Sequence, residues 1–233
     1  EYRAGNEIET YSETVNNTSQ DELAYIKENV IEYNRTLASE ESTSSISYDE
    51  MLAATDAIGY LEIPKLQLML PIYEGTEEDV LARGVGHMEQ TSLPVGGAST
   101  HCVLAGHTGL PTAKLFTHLD KMKEGDLFYI HELDEILTYK VDRISVVLPD
   151  ETDALQIEEG KDYVTLLTCV PYGVNSHRLL VRGERTENPV TADSQENADK
   201  TVSTVVYAVF AGIIFIVFYI WFRHKRRRAN EKE

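Results

Sequence analysis

Residues 163–185, YVTLLTCVPYGVNSHRLLVRGER, constrain this chain more than any other stretch, together with Asp162 in front of them. Val164–Thr168 is apolar and β-branched and ends on Cys169, and a second strand-like run, His177–Val181, opens with a His-Arg pair. Pro171, Gly173 and Asn175 lie between the runs and read as a turn or loop. The chain is thus expected to pair two adjacent strands so that a thiol at the end of one faces a cation at the start of the next. Thiolate chemistry needs such a positive group near the sulfur.

Strand alternation sorts the neighbours. If Arg178 faces Cys169, His177 faces away, while Leu180 and Arg182 share the Arg178 side. Arg182 then sits roughly 13 Å further along, a poorer match for the same sulfur. Arg178 itself can equally be read as half of a structural ion pair. Acyl transfer by a thiol also needs a proton donor, usually histidine. The candidates are His87, His101, His107, His118, His131, His177 and His224. His107 is the best placed, because it ends the apolar run CVLAGHTG at a glycine-flanked mouth. Cys102, five residues before His107, should point to the opposite face and read as an inert core thiol. Two cysteines are too few for a disulfide framework or a four-ligand zinc site, although a Cys102–Cys169 disulfide is formally allowed. Nothing resembles a phosphate loop, a HExxH helix or a calcium loop, so no metal or cofactor is expected.

Elsewhere the pattern is one of short strands. Ile58–Ile63, Leu66–Tyr73, Gly84–Met88 and His101–His107 precede a hairpin of Leu127–Glu132 and Ile136–Leu148. Thr76 with Asp79 caps a short helical turn, Ala113–Leu119 reads as a short helix, and Asp153–Ile157 as a single helical turn. Counting the two strands around Cys169, about eight strands are separated by turn signals, which predicts an antiparallel barrel or sandwich. Ahead of them, residues 1–20 are polar, acidic and expected to be poorly ordered at the very start. Leu23, Ile26, Val30, Tyr33 and Leu37 then mark one face of a helix. Residues 39–47 read as a mobile loop, and Ser47 with Glu50 as a capping box for a short helix.

The C-terminal end has a different character. Thr201–Phe222 is 22 residues without a charge, long enough to cross a bilayer as a helix. Tyr219 and Trp221 sit near its end, and Arg223, Lys225, Arg226, Arg227 and Arg228 follow, so residues 223–233 should be cytoplasmic. The body is then extracytoplasmic, joined through a polar linker over 187–200, and an export signal or anchor is expected ahead of Glu1. Fifteen basic and 37 acidic residues precede Arg223, which makes nucleic acid an unsuitable partner.

Cys169 within TLLTCVPYGVNSHRLLVRG resembles the sortase signature, in which TLxTC ends one barrel strand and an arginine opens the next. GYLEIPKL at 59–66, PIYEGT at 71–76, GVGHMEQTSLPVGG at 84–97 and AGHTGLPTAKLFTHLD at 105–120 look like segments of the pilin-polymerising class C sortases. The resemblance implies an eight-stranded sortase β-barrel over 57–186, following a helical region over 21–56. It maps the catalytic residues onto Cys169, His107 and Arg178. By resemblance the substrates are exported pilin or surface proteins with LPXTG-type sorting signals, and the acceptor amine is a pilin lysine. Many class C sortases carry an Asp-Pro-aromatic lid, and the corresponding stretch, Ser39–Asp49, contains no such triplet. Three readings follow. The first is a membrane-anchored transpeptidase, the second a cell-wall-anchoring or hydrolytic sortase with the same site, and the third a tethered scaffold without activity.

Overall fold

In this computed structural model, which describes residues 2–39, 55–109 and 114–187, the strand-forming runs close on themselves. The strands are β1 (Ala57–Ile63), β2 (Leu68–Glu74), β3 (Val85–His87), β4 (Thr100–Ala105), β5 (Leu127–Glu132), β6 (Glu135–Val147), β7 (Asp162–Val170) and β8 (His177–Thr186). They form a closed barrel in the order β1-β2-β3-β4-β7-β8-β6-β5, with β1 pairing back to β5. Closure leaves no sheet edge unpaired.

The pairing is not wholly antiparallel, as the sequence had suggested. β2 runs parallel to β3 and β4 parallel to β7. Parallel neighbours need crossover connections rather than tight turns. The first crossover holds a short helix, α3 (Glu78–Leu81), capped by Glu77 and not by Thr76, with no side-chain cap bond. The expected helix over 113–119 is instead a series of turns and one 3-10 turn, Leu119–Lys121, within the described part of that stretch. A single 3-10 turn also forms at Asp153–Leu155.

Alternation along each strand sends one set of side chains inward. Leu61, Ile63, Ile72, Cys102, Leu104, Phe128, Ile130, Tyr139, Val164, Leu166, Leu179 and Val181 belong to the buried core. Gly183 allows this packing, because a Cβ there would lie 2.6 Å from the Phe128 ring.

Two helices precede the barrel. The stretch at 1–20, expected to begin in poor order, forms helix α1 (Tyr2–Asn17). Its apolar content is low, but Tyr11 and Val15 reach the barrel core. The Tyr11 hydroxyl accepts from the Leu133 amide at 2.7 Å and donates to the Ile58 carbonyl at 3.4 Å. Ser19 caps helix α2 (Gln20–Ala38) by accepting from the Glu22 amide. α2 buries Leu23, Ile26 and Val30, as its apolar stripe required. It also buries Asn34, whose amide trades two hydrogen bonds with the Leu93 backbone at 2.7 and 3.1 Å.

No helix among the described residues is long and apolar enough to cross a membrane. The 201–222 segment, the basic tail and nearly all of the linker lie outside the described residues. So do the predicted capping box and all but Ser39 of the lid-equivalent stretch.

Candidate active site

The barrel register brings the sequence-predicted residues into one row. β7 and β8 pair antiparallel with Cys169 opposite Arg178. β4 and β7 pair parallel through Ala105 opposite Leu167, and the Gly106 amide continues the ladder to the Leu167 carbonyl at 3.0 Å. Two residues beyond Ala105, His107 therefore comes alongside Cys169. Residues paired across adjacent strands share a face, and neighbouring strands lie about 4.8 Å apart. The row His107–Cys169–Arg178 thus spans roughly 10 Å between outer Cα positions. It lies on the outside of the barrel, because the alternate positions Cys102, Leu104, Val164, Leu166, Leu179 and Val181 occupy the core.

His107 is held from several sides. The Thr168 hydroxyl donates to the Gly106 carbonyl at 2.7 Å, and the Phe116 amide donates to the His107 carbonyl at 3.0 Å. The Phe116 ring packs where a Cβ on Gly106 would stand, 2.7 Å away, so only glycine fits before the histidine. The His107 Nε2 atom is shut off from solvent and has no hydrogen-bond partner among the described residues. Among the described residues, a carboxylate oxygen of the exposed Glu78 stands 3.6 Å from it.

Cys169 is a free, half-buried thiol. Beyond it the chain turns tightly, the Val174 and Asn175 amides both donating to the Pro171 carbonyl at 3.0 and 2.9 Å. Asn175 and Gly173 adopt positive φ, 58° and 73°, which that turn demands. Arg178 is tethered to this loop. Its Nη1 donates to the Asn175 and His177 carbonyls at 3.1 and 3.2 Å. No ion pair of Arg178 forms among the described residues. Tyr172 links the two loops: its ring lies where a Cβ on Gly109 would fall, 1.7 Å away.

The other candidates have separate roles. Cys102 points into the core, and complete burial, with Asp162 adding to it, pushes its thiol well up from the ordinary range. Burial likewise pushes the His87 imidazole down to about 4, against the opposing bond to the Ser92 carbonyl at 3.0 Å. His101 is lowered mainly by burial and bridges the Gln156 carbonyl and the Thr165 hydroxyl. His131 stacks on Tyr60 and meets Glu62 at 2.8 Å. His118 precedes the 3-10 turn at 119–121, and His177 meets the Ser176 hydroxyl in the turn before β8. Arg182 is committed to Asp142 and Glu158 and is not free to serve Cys169. Glu78 and Tyr172 escaped the sequence reading: Glu78 reaches the site from the β2–β3 crossover, and the Tyr172 ring meets Gly109, a contact between segments distant in sequence that leaves no local pattern.

A closed mixed β-barrel with cysteine, histidine and arginine aligned across adjacent strands of its outer face defines the class: a barrel protein with a cysteine-centred site. The model of the Sortase domain family matches residues 61–186, and the chain belongs to the sortase family. Its structure is similar to that of sortase C from Streptococcus pneumoniae, at 46% identity and a TM-score of 0.72, covering 78% of this chain and 96% of that one. It is also similar to sortase C from Clostridium perfringens solved with the C-terminal cell wall sorting motif. That match has 50% identity and a TM-score of 0.72, covering 78% of this chain and 98% of that one. Sortase A of Bacillus anthracis is 32% identical over 127 residues, which is 54% of this chain and 59% of that protein's length.

Proposed function

We propose that the chain is a membrane-anchored cysteine transpeptidase that joins exported proteins bearing an LPXTG-like sorting signal to an amine. The observation that carries this reading is the single outer-face row of His107, Cys169 and Arg178. In the proposed reaction the Cys169 thiolate attacks the carbonyl carbon of the Thr–Gly bond. A carbon–sulfur bond forms, and the carbonyl electrons move onto oxygen. The guanidinium N–H groups of Arg178 that have no partner among the described residues stabilise that oxyanion. The carbon–nitrogen bond then breaks as protonated His107 gives a proton to the departing glycine amine from Nε2, which has no hydrogen-bond partner among the described residues. The thioester is resolved by an incoming amine, which displaces the sulfur and restores the thiol.

Similarity to sortases C at 45–50% identity supports pilin subunits as substrates and a pilin lysine as the acceptor. One of these structures is described in terms of pilin substrate specificity, and another holds a sorting motif. The uncharged run 201–222 with its basic end supports anchoring beside the point of export, with the barrel outside the cytoplasm.

Intact-mass spectrometry of the full chain in detergent, incubated with an LPXTG peptide, tests the reading. A mass increase equal to the LPXT acyl group, absent in Cys169→Ala, retained in Cys102→Ala and discharged by added amine, is expected. An adduct that survives Cys169→Ala would remove the assignment. Discharge by water alone, unaffected by amine, would make the protein a hydrolase.

A further inference from the structure

β6 and β7 both pair antiparallel with β8 and flank it. The chain must therefore return between the end of β6 and the start of β7, across the outer face of β8. It leaves at Val147, which pairs with Arg178, and rejoins the sheet at Asp162. Asp162 lies seven positions before Cys169 on β7, a distance of about 23 Å. Residues 148–161 could span roughly 48 Å if extended. The crossover thus has about twice the length it needs, and something must hold it down.

Two ties do so. The Arg182 side chain is only 8% exposed. Its Nε and Nη2 donate to the Asp142 carboxylate, Nη2 at 2.6 Å, and its Nη1 donates to Glu158 Oε1 at 2.9 Å. Asp142 sits at the β6 irregularity between Val141 and Arg143, which turns its carboxylate toward β8. The guanidinium lies 3.9 Å from the centre of the Tyr163 ring, and the Tyr163 hydroxyl donates to Glu158 at 3.4 Å. The second tie is His101. The Gln156 carbonyl only accepts, so Nδ1 of His101 donates to it at 2.9 Å, while Nε2 meets the Thr165 hydroxyl at 2.8 Å.

The register places these ties relative to the chemistry. Val103, Thr165 and Arg182 form one outer row, Ala105, Leu167 and Leu180 the next, and His107, Cys169 and Arg178 the last. The tied row is two same-face steps, about 13 Å, from the nucleophile. That is the length of four extended peptide residues, with an apolar floor between.

We propose that Arg182, acting through Glu158, is a positioning residue that clasps the 148–161 crossover so that it forms the far wall of the peptide-binding face. His101 secures the same segment through Gln156. This rests on the transpeptidase reading above. The clasp fixes where the end of a bound peptide remote from the scissile bond meets protein, without touching the reacting atoms.

Replacing Arg182 would strand Asp142 without its partner, so the test uses Glu158, whose side chain is half exposed. With the full chain, an LPXTG peptide and an amine acceptor, Glu158→Ala should raise KM about tenfold, the equivalent of one charge-assisted hydrogen bond. The kcat and the rate of Cys169 alkylation by a small thiol reagent should stay within about twofold. Glu158→Gln, whose amide oxygen still accepts from Arg182, should recover most of the affinity. An unchanged KM in Glu158→Ala would overturn the proposal. A parallel fall in kcat and alkylation rate would also overturn it, by showing that the clasp supports the whole site. A wild-type chain that forms no Cys169 adduct would remove the transpeptidase reading first and this proposal with it.

Discussion

Replacing Arg178 by lysine tests whether charge alone suffices at this position. A guanidinium offers five N–H donors. In the structure Nη1 supplies bonds to the Asn175 and His177 carbonyls, at 3.1 and 3.2 Å, which hold the side chain to its loop. Among the described residues Nε and Nη2 have no partner, which leaves them for a developing oxyanion. A lysine ammonium has three donors on one nitrogen. If it keeps the two loop tethers it has one left, and it cannot present a planar pair. Loss of one oxyanion donor costs about 100- to 1,000-fold in kcat, or roughly 2.7–4 kcal/mol. Arg178→Lys should therefore lower the single-turnover rate of acyl-enzyme formation about 100-fold, with KM changed little. Since Arg178 makes no ion pair among the described residues, stability should move by less than about 0.5 kcal/mol. The assay is quenched-flow intact-mass spectrometry paired with urea unfolding. A rate within about threefold of wild type would refute the reasoning, as would a rate loss accompanied by a matching loss of stability.

Two further predictions concern the scaffold. Tyr11→Phe removes the acceptor of the buried Leu133 amide and should destabilise the barrel by about 1–3 kcal/mol in urea unfolding, whereas a change under 0.5 kcal/mol would mean that α1 is not anchored there. The His87 imidazole is pushed down to about 4 in the fold, so between that pH and about 6.5 the unfolded chain binds more protons. Stability should therefore fall as pH drops from about 6.5 through 4, by on the order of 2 kcal/mol from this group. His101 adds to the effect, and Asp162, raised by burial, works against it at the acid end. Urea midpoints at pH 7 and 4.5 should show a smaller difference in His87→Gln, and an identical difference would exclude His87 as the source.

Much of this architecture was legible because strand and turn signals are local. The hairpin of β5 and β6 and the stripe on α2 follow from alternation and helical spacing. Cys169 opposite Arg178 was readable because only a short turn separates them, so pairing follows from sequence proximity. α1 was missed because its contribution rests on Tyr11 and Val15 within a polar segment, and a tyrosine hydroxyl that meets Leu133 leaves no periodic trace. The two parallel pairings were missed because a crossover is specified by what covers the sheet, and not by residues at its ends.

By itself, then, the sequence determined the strands, the turn after Cys169, the arginine across from it and the family signature, all properties of residues close together along the chain. Tertiary structure decided the rest. His107 was already the best placed of seven histidines in the sequence, but its position alongside Cys169 comes from the parallel register of β4 on β7, which spans some sixty intervening residues. Arg182 became a clasp only because an irregularity at Asp142 and a returning crossover bring two carboxylates to one guanidinium. Such contacts depend on where distant segments lie once the barrel has closed, and no local spacing encodes that.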